Sequence, residues 1–427
     1  FKEHKTFNLM VFSKSTLSSG LRVIMAPILH NTTVTVLCLT GTGSKYETKD
    51  INGISHFLEH MCFKGTEKRP SAQQISHELD AIGGEFNAFT SKEYTGYYAK
   101  VRSEHALTAL DVVSDIFLHQ LIKEEEVQRE KGVIIEEINL YLDTPTDHIG
   151  DVFEGLLYGD QPAGWPVVGS KENILKMTRE DFVNYRNNHY TVNNSLLVLA
   201  GDPTALTKLQ VSLEKMFAGI RPGDHGAKQK AVEAQQKPAV AISPKDTDQI
   251  HIALGVRTVH LLDPRRYALA VLATVLGGGM SSRLFSSVRE QKALAYYVRT
   301  AHEQYTDTGY LATYAGVTKE KLEEAVQIIV REYKKIREEK VPPEELKKAK
   351  EYLKGKLTLH LEGSDEIAMF LGEQEILTKN PVRPAVLFER LEAVSAEDIL
   401  RVANEFLIPS NLNMALIGNY KNEKKLL

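Results

Sequence analysis

The sequence predicts an α+β protein built from two homologous halves. Three observations carry this. At 427 residues the chain is too long for one small core and suits two domains. A stretch rich in Pro, Gly, Lys, Gln and Ala, residues 219–247, has no apolar period and reads as a linker near the middle. A closing segment also recurs. Met177 to Phe182, Asn194 and Leu199 to Asp202 match Val394 to Ile399, Asn411 and Leu416 to Asn419 at a constant offset of 217 residues, as a duplication would produce. The expected organisation is therefore a first half over 1–218, the linker, and a second half over 248–427.

The elements follow in order. Thr33 to Leu39 alternates apolar and polar residues and predicts a strand that opens the first half. Helical patterns follow over Glu104 to His119 and Glu124 to Leu142, and Thr178 predicts the N-cap of the helix preceding the closing strand. The second half opens in the same way with Gln249 to Gly255, continues into an apolar helix over Arg265 to Leu276, and closes with Ser395 as N-cap. Lys334 to Lys356 mixes Lys and Glu around Pro342-Pro343 and predicts two exposed helices meeting at a turn.

Composition excludes several roles. The 52 Lys and Arg nearly balance 56 Asp and Glu, so overall charge gives no reason to expect nucleic acid or an anionic membrane as partner. Cys38 and Cys62 are the only cysteines, too few for a disulfide scaffold and consistent with two buried thiols in a reducing compartment. The longest strongly apolar stretch, Ala268 to Met280, is far short of the ~20 residues that span a bilayer. The start, Phe1-Lys2-Glu3-His4, lacks the basic and apolar regions of a secretory signal. It also lacks an initiator Met, as a trimmed chain or a matured import substrate would. These features predict a soluble protein.

The chemistry is concentrated in His56-Phe57-Leu58-Glu59-His60. On a helix, residues 56 and 60 share one face and residue 59 lies beside them. Two neutral imidazoles can then bind Zn²⁺ while Glu59 faces a bound water as a base. The order is the inverse of the commoner zincin motif. A catalytic zinc needs a third protein ligand, and the acidic helix Gln128 to Ile138 offers Glu130, Glu136 and Glu137. Residues 130 and 137 are seven apart on one face, which makes Glu137 the candidate ligand and Glu130 the group behind it. The apolar helix of the second half contains no His, so the metal is expected in the first half alone. His77, His105, His189 and His302 have no partner at ligand spacing and are expected to be structural or exposed.

With these residues in place, the chain resembles the pitrilysin/insulysin family of inverted-motif zinc peptidases. Its half-length chain is similar to the processing-peptidase branch, which includes the mitochondrial processing peptidase β-subunit and small bacterial relatives. The resemblance spans essentially the whole chain, including the duplicated halves, and implies that each is an α/β sandwich with a mainly antiparallel sheet packed with helices. Gly83 to Ser91 resembles the family's strand edge beside the zinc, implying that Asn87, Ala88 and Phe89 bind substrate. Arg283-Leu284-Phe285 with Arg289 to Tyr296 resembles its substrate-grasping segment, implying that Arg289 and Tyr296 hold substrate. An unpaired edge strand can add an extended peptide through main-chain hydrogen bonds, and Arg and Tyr donors can hold its carbonyl or a developing oxyanion.

The resemblance implies a zinc metalloendopeptidase with one Zn²⁺ per chain on His56, His60 and Glu137, with Glu59 as general base and Glu130 supporting it. It further implies that two chains close as a homodimeric clamshell around peptides or unfolded polypeptide. The zinc half of one chain would face Arg289 and Tyr296 of the other. A non-catalytic or partner-dependent subunit of a related peptidase complex is the alternative. The compartment expected alongside this resemblance is the bacterial cytoplasm, with the mitochondrial matrix as the alternative.

Overall fold

The structure is a computed structural model that describes residues 10–224 and 226–421; the leader reading at Phe1 to His4 lies outside the described residues. The chain separates into two compact units. Unit 1 comprises the described residues of Phe1–Ile138, Pro166–Gln229 and Thr358–Ala385; unit 2 comprises those of Asn139–Trp165, Lys230–Leu357 and Val386–Leu427.

The sheet of unit 1 contains β1 (Ser13–Thr16), β2 (Arg22–Pro27), β3 (Thr33–Thr40), β4 (Glu85–Thr90), β5 (Thr95–Arg102) and β6 (Ser195–Gly201), in the order β1-β2-β6-β3-β5-β4. Only the β2–β6 pair is parallel. The central strands β3 and β6 are buried on both faces, which explains their nearly unbroken apolar runs. Val34, Val36, Cys38, Leu197 and Leu199 belong to the core that also contains Leu110, Val113 and Phe117 of the helix Ala106–Leu118. Leu37, Leu39 and Val198 meet the helix Ser364–Thr378. There the backbone approaches so closely that a Cβ on Gly372 would lie 2.5 Å from Leu39 Cδ1.

Unit 2 repeats the plan with β7 (Ala239–Ser243), β8 (Ile250–Thr258), β9 (Ala295–Gln304), β10 (Gly309–Val317) and β11 (Asn413–Ile417), in the order β7-β11-β8-β10-β9. Its one parallel pair is β7–β11. Arg22 opposite Leu196 in the first sheet and Ala239 opposite Asn413 in the second are related by the same 217-residue shift seen in the sequence. The closing segments also agree in detail. Thr178 with Asp181, and Ser395 with Asp398, form matching capping boxes. On one face of this sheet Ile252, Leu254 and Leu416 pack with Leu269 and Leu272 of the helix Arg266–Gly277. On the other, Ala253, Ala312 and Ile417 pack with Ile149, Phe153 and Leu157 of the helix Pro145–Tyr158.

Three features differ from the sequence expectation. Each sheet begins earlier than its predicted opening strand, with β1 and β2 before β3 and β7 before β8. β7 lies inside the stretch read as linker, because Ala239-Val240-Ala241-Ile242 is too short an apolar run to stand out among Lys, Gln and Pro; β11 supplies its ladder. The units also do not follow the linear halves. The helix Pro145–Tyr158 belongs to unit 2 and the helix Ser364–Thr378 to unit 1, so each sheet has one face covered by a helix from the other half of the sequence.

Both cysteines are free and buried. Among the described residues no helix is long and apolar enough to cross a membrane.

His302 on β9 is held in its neutral form. Its Nδ1 lies 3.2 Å from Gln304 Nε2 and its Nε2 lies 3.0 Å from Thr258 Oγ1. Burial, reinforced by the charge of Arg266, pushes its pKa down to about 3. The unfolded chain therefore takes up this proton at higher pH than the folded one. Stability from this site is fully present above the ordinary His range and is lost as pH falls toward 3. Urea unfolding followed at pH 7 and pH 5 should show that His302→Gln removes about 2 kcal/mol of the parent's acid-induced loss.

Candidate metal site

The helix Ile54–Cys62 carries the inverted motif, and its start is fixed by backbone geometry and one carboxylate. Gly53 occupies the N-cap at φ 103°, a conformation that disfavours side chains, and a Cβ there would lie 2.9 Å from Gly169 Cα. The cap comes from Glu47, which is buried. Its Oε2 accepts from Gly53 N and Asn52 Nδ2, and its Oε1 accepts from Ser55 N, all at 2.8 Å. Burial holds the Glu47 pKa above the ordinary carboxylate value, and these donors oppose that shift. Ser55 Oγ, Tyr185 OH and Thr42 Oγ1 continue inward as a chain of 2.7 Å contacts.

One turn further on, His56 and His60 stand side by side with ring centroids 4.7 Å apart. Opposite them is the helix Glu124–Asp143. His56 Nε2 lies 3.5 Å from Glu137 Oε1, and His60 Nε2 lies 3.5 Å from Glu137 Oε2. One nitrogen from each His and one Glu137 oxygen lie within 4.8 Å of one another, the one group of this kind among the described residues. Tetrahedral zinc with bonds of about 2.0–2.1 Å separates its ligands by roughly 3.3 Å, so the three residues fit such an ion with small adjustments.

The surroundings prepare the donors for that role. His60 Nδ1 lies 2.9 Å from Glu130 Oε1. A carboxylate accepts, so His60 donates from Nδ1 and presents the lone pair of Nε2 toward Glu137. Burial pushes the Glu130 pKa up, but His60 and Lys64 outweigh it and leave the pKa below the ordinary value; Lys64 Nζ reaches Glu130 Oε2 at 2.6 Å. Glu137 is also held low, chiefly by its hydrogen bond with His56. Glu59 behaves in the opposite way. Burial raises its pKa above the ordinary value, and Thr90 Oγ1 donates to its Oε2 at 2.5 Å. A partly desolvated carboxylate beside a cluster of metal donors has the character of a base.

Glu136 points to solvent while Glu137 faces the histidines, as the helical spacing requires. Asn87, Ala88 and Phe89 lie on β4, which pairs with β5 and ends the sheet, leaving its outer edge unpaired among the described residues. Asn87 Oδ1 accepts from the Ala88 N–H at 2.9 Å. Arg289 and Tyr296 are in unit 2. The Arg289 guanidinium sits 4.8 Å from the Phe285 ring centroid and 5.9 Å from that of Tyr296, which is 74% exposed. Among the described residues neither side chain makes a hydrogen bond or ion pair, whereas Arg283 is engaged by both oxygens of Glu345. His189 is buried against Tyr185, His77 is exposed and His105 is partly exposed.

The profile of the insulinase family, peptidase family M16, matches residues 22–170, and that of the "Peptidase M16 inactive domain" matches residues 176–353. The chain belongs to peptidase family M16. Among its M16 relatives, the "uncharacterized zinc protease YmxG" of Bacillus subtilis is 37% identical over 96% of this chain and 98% of its own. An "uncharacterized zinc protease" of Rickettsia felis is 35% identical over 95% and 97%. The crystal structure of a protease from Helicobacter pylori matches with a TM-score of 0.89 at 25% identity, covering 96% of this chain and 100% of that one. The profile whose description says inactive covers much of the second half, where the helix Arg266–Gly277 carries no His.

Sequence reasoning missed Glu47, Lys64 and Thr90. Lys64 follows His60 at helical spacing and could have been found that way; Glu47 and Thr90 come from a loop and a strand with no periodic relation to the motif. If His60 is a ligand, Glu130→Gln should weaken zinc binding by about 10- to 100-fold, measured by competition with a chromogenic chelator.

Proposed function

We propose that this chain is a zinc-dependent endopeptidase that hydrolyses peptides or unfolded polypeptide segments. The observation that carries the reading is the convergence of His56, His60 and Glu137 beside a half-buried carboxylate, Glu59, that is not part of the donor set. The names of the curated relatives support zinc and proteolysis.

His56, His60 and Glu137 would hold one zinc ion per chain, which would supply Lewis acidity toward a water and a peptide carbonyl. Glu59 accepts the proton of the attacking water and returns it to the leaving amine. Glu130, with Lys64 behind it, keeps the His60 proton on Nδ1 and so holds the ring in its ligating tautomer. β4 receives the peptide as an added strand at its open edge, which holds substrate through main-chain bonds and reads little of its sequence. Asn87, Ala88 and Phe89 are the contact residues there. Asn87 Nδ2 has no hydrogen-bond partner among the described residues and can donate to a peptide carbonyl.

Arg289 and Tyr296 complete the grip on substrate in a homodimer in which each chain presents them to the other's metal site. Their lack of polar partners supports this assignment. The bacterial relatives favour the cytoplasm as the compartment. The alternative of a non-catalytic subunit gains support from the description of the second profile, but that profile begins at residue 176, beyond the candidate metal site.

Purified protein loaded with zinc should cleave an unstructured peptide, whereas Glu59→Gln should lose at least about 1,000-fold in kcat while retaining its zinc. Activity that survives this substitution would remove Glu59 from the mechanism. Sedimentation should give twice the chain mass for the active species. An active monomer would overturn the dimeric grip.

A further inference from the structure

We propose that Thr90 is a positioning residue for the reaction, holding the Glu59 carboxylate in the orientation from which it takes the proton of the attacking water. The inference rests on the reading of Glu59 as the base. The contact is specific: Thr90 Oγ1 donates to Glu59 Oε2 at 2.5 Å, and no described residue bonds to Oε1. One oxygen is thereby tied down and the other is left for water. A carboxylate held by one short bond keeps its free oxygen on a fixed bearing, whereas an untethered one spreads over its side-chain rotations.

Thr90 can do this because its own place is over-determined. It is the last residue of β4 and is paired with Thr95 on β5. The turn beyond it is closed by Ser91, whose N–H donates to Tyr94 O at 2.9 Å and whose Oγ accepts from the N–H groups of Glu93 and Tyr94. That turn is fastened to the loop leading into the motif helix, with Ser44 N donating to Ser91 O and Lys45 N to Lys92 O. Gly43 lets the two segments touch, since a Cβ there would lie 2.1 Å from Ser91 O. The strand that offers its edge to a peptide thus also carries, one residue past Phe89, the hydroxyl that aims the base. A substrate registered on Asn87 to Phe89 is in the same stroke registered against Glu59.

The test uses zinc-loaded full-length Thr90→Val, Thr90→Ser and Thr90→Ala with an unstructured peptide, alongside the parent and Glu59→Gln. Zinc affinity and Tm are read for every variant. Thr90→Val should lower kcat by roughly 10- to 100-fold with KM within about threefold of the parent. Zinc affinity should be unchanged, because among the described residues Thr90 hydrogen-bonds to none of the candidate ligands. Thr90→Ser, which keeps the hydroxyl, should return kcat to within a few-fold of the parent, and Thr90→Ala should match Val.

Thr90→Val and Thr90→Ala retaining parental kcat while Glu59→Gln is inactive would overturn the proposal and leave the base standing. A Ser variant as slow as Val would also overturn it, by assigning the effect to the lost methyl. Full activity of Glu59→Gln would instead remove the reading on which the proposal rests.

Discussion

A buried carboxylate at the head of a short helix is the constraint on which the candidate site depends. His56, Glu59 and His60 are carried by nine residues, Ile54–Cys62, so a small rotation or slide of that helix would displace all three together. A helix this short gains little from its own hydrogen bonds and must be held by its surroundings. Glu47 does much of this by accepting from two backbone N–H groups at the first turn and from Asn52. Hydrogen bonds to charged groups are worth about 1.5–3 kcal/mol each, so three of them offset part of the several kcal/mol cost of burying one carboxylate, and the remainder is felt as its raised pKa. Phe57, Leu58 and Met61 on the same helix are fully buried and set its rotation through packing.

The same architecture carries chemically different side chains in its two copies. Both sheets have the same strand order from the parallel pair onward, and both closing helices begin with the same capping box. In unit 1 the helix that follows the central strand is interrupted by polar, ionisable groups facing the helix Glu124–Asp143. In unit 2 the corresponding position is filled by the Leu, Val and Ala residues of Arg266–Gly277. Apolar packing is the unexceptional choice for such a helix. The clustered imidazoles and carboxylates of unit 1 are costly to bury without an ion to share, and this asymmetry is what makes the first copy chemically informative.

How much of this was legible depended on whether the signal was periodic. The His56/His60 and Glu130/Glu137 pairs repeat at four and seven residues, so their shared faces could be read directly from the sequence. The duplication was legible because caps and strands recur at a fixed interval. β7 was hidden because four small apolar residues among Lys, Gln and Pro do not alternate visibly. Thr90 and Glu47 were hidden because the contacts they make, to Glu59 and to the start of the motif helix, come from chain reversals that leave no spacing. The exchanged helices were hidden for another reason. β3 and β8 announce by their apolar runs that both faces are covered, but not which helix covers them.

That exchange bears on the order in which the molecule can be finished. During synthesis the first half leaves the ribosome with Leu37, Leu39 and Val198 exposed, and the helix that covers them is made only when the chain reaches Ser364 to Thr378. At roughly 5–20 residues per second, the more than 160 residues between β6 and that helix correspond to a wait of about ten to thirty seconds. The nascent first half therefore passes through a stage with an uncovered apolar sheet face, open to chaperones and to self-association. Contacts so distant in sequence also slow closure, so maturation of the unit that carries the candidate metal site is timed by the end of translation rather than by its own half of the chain.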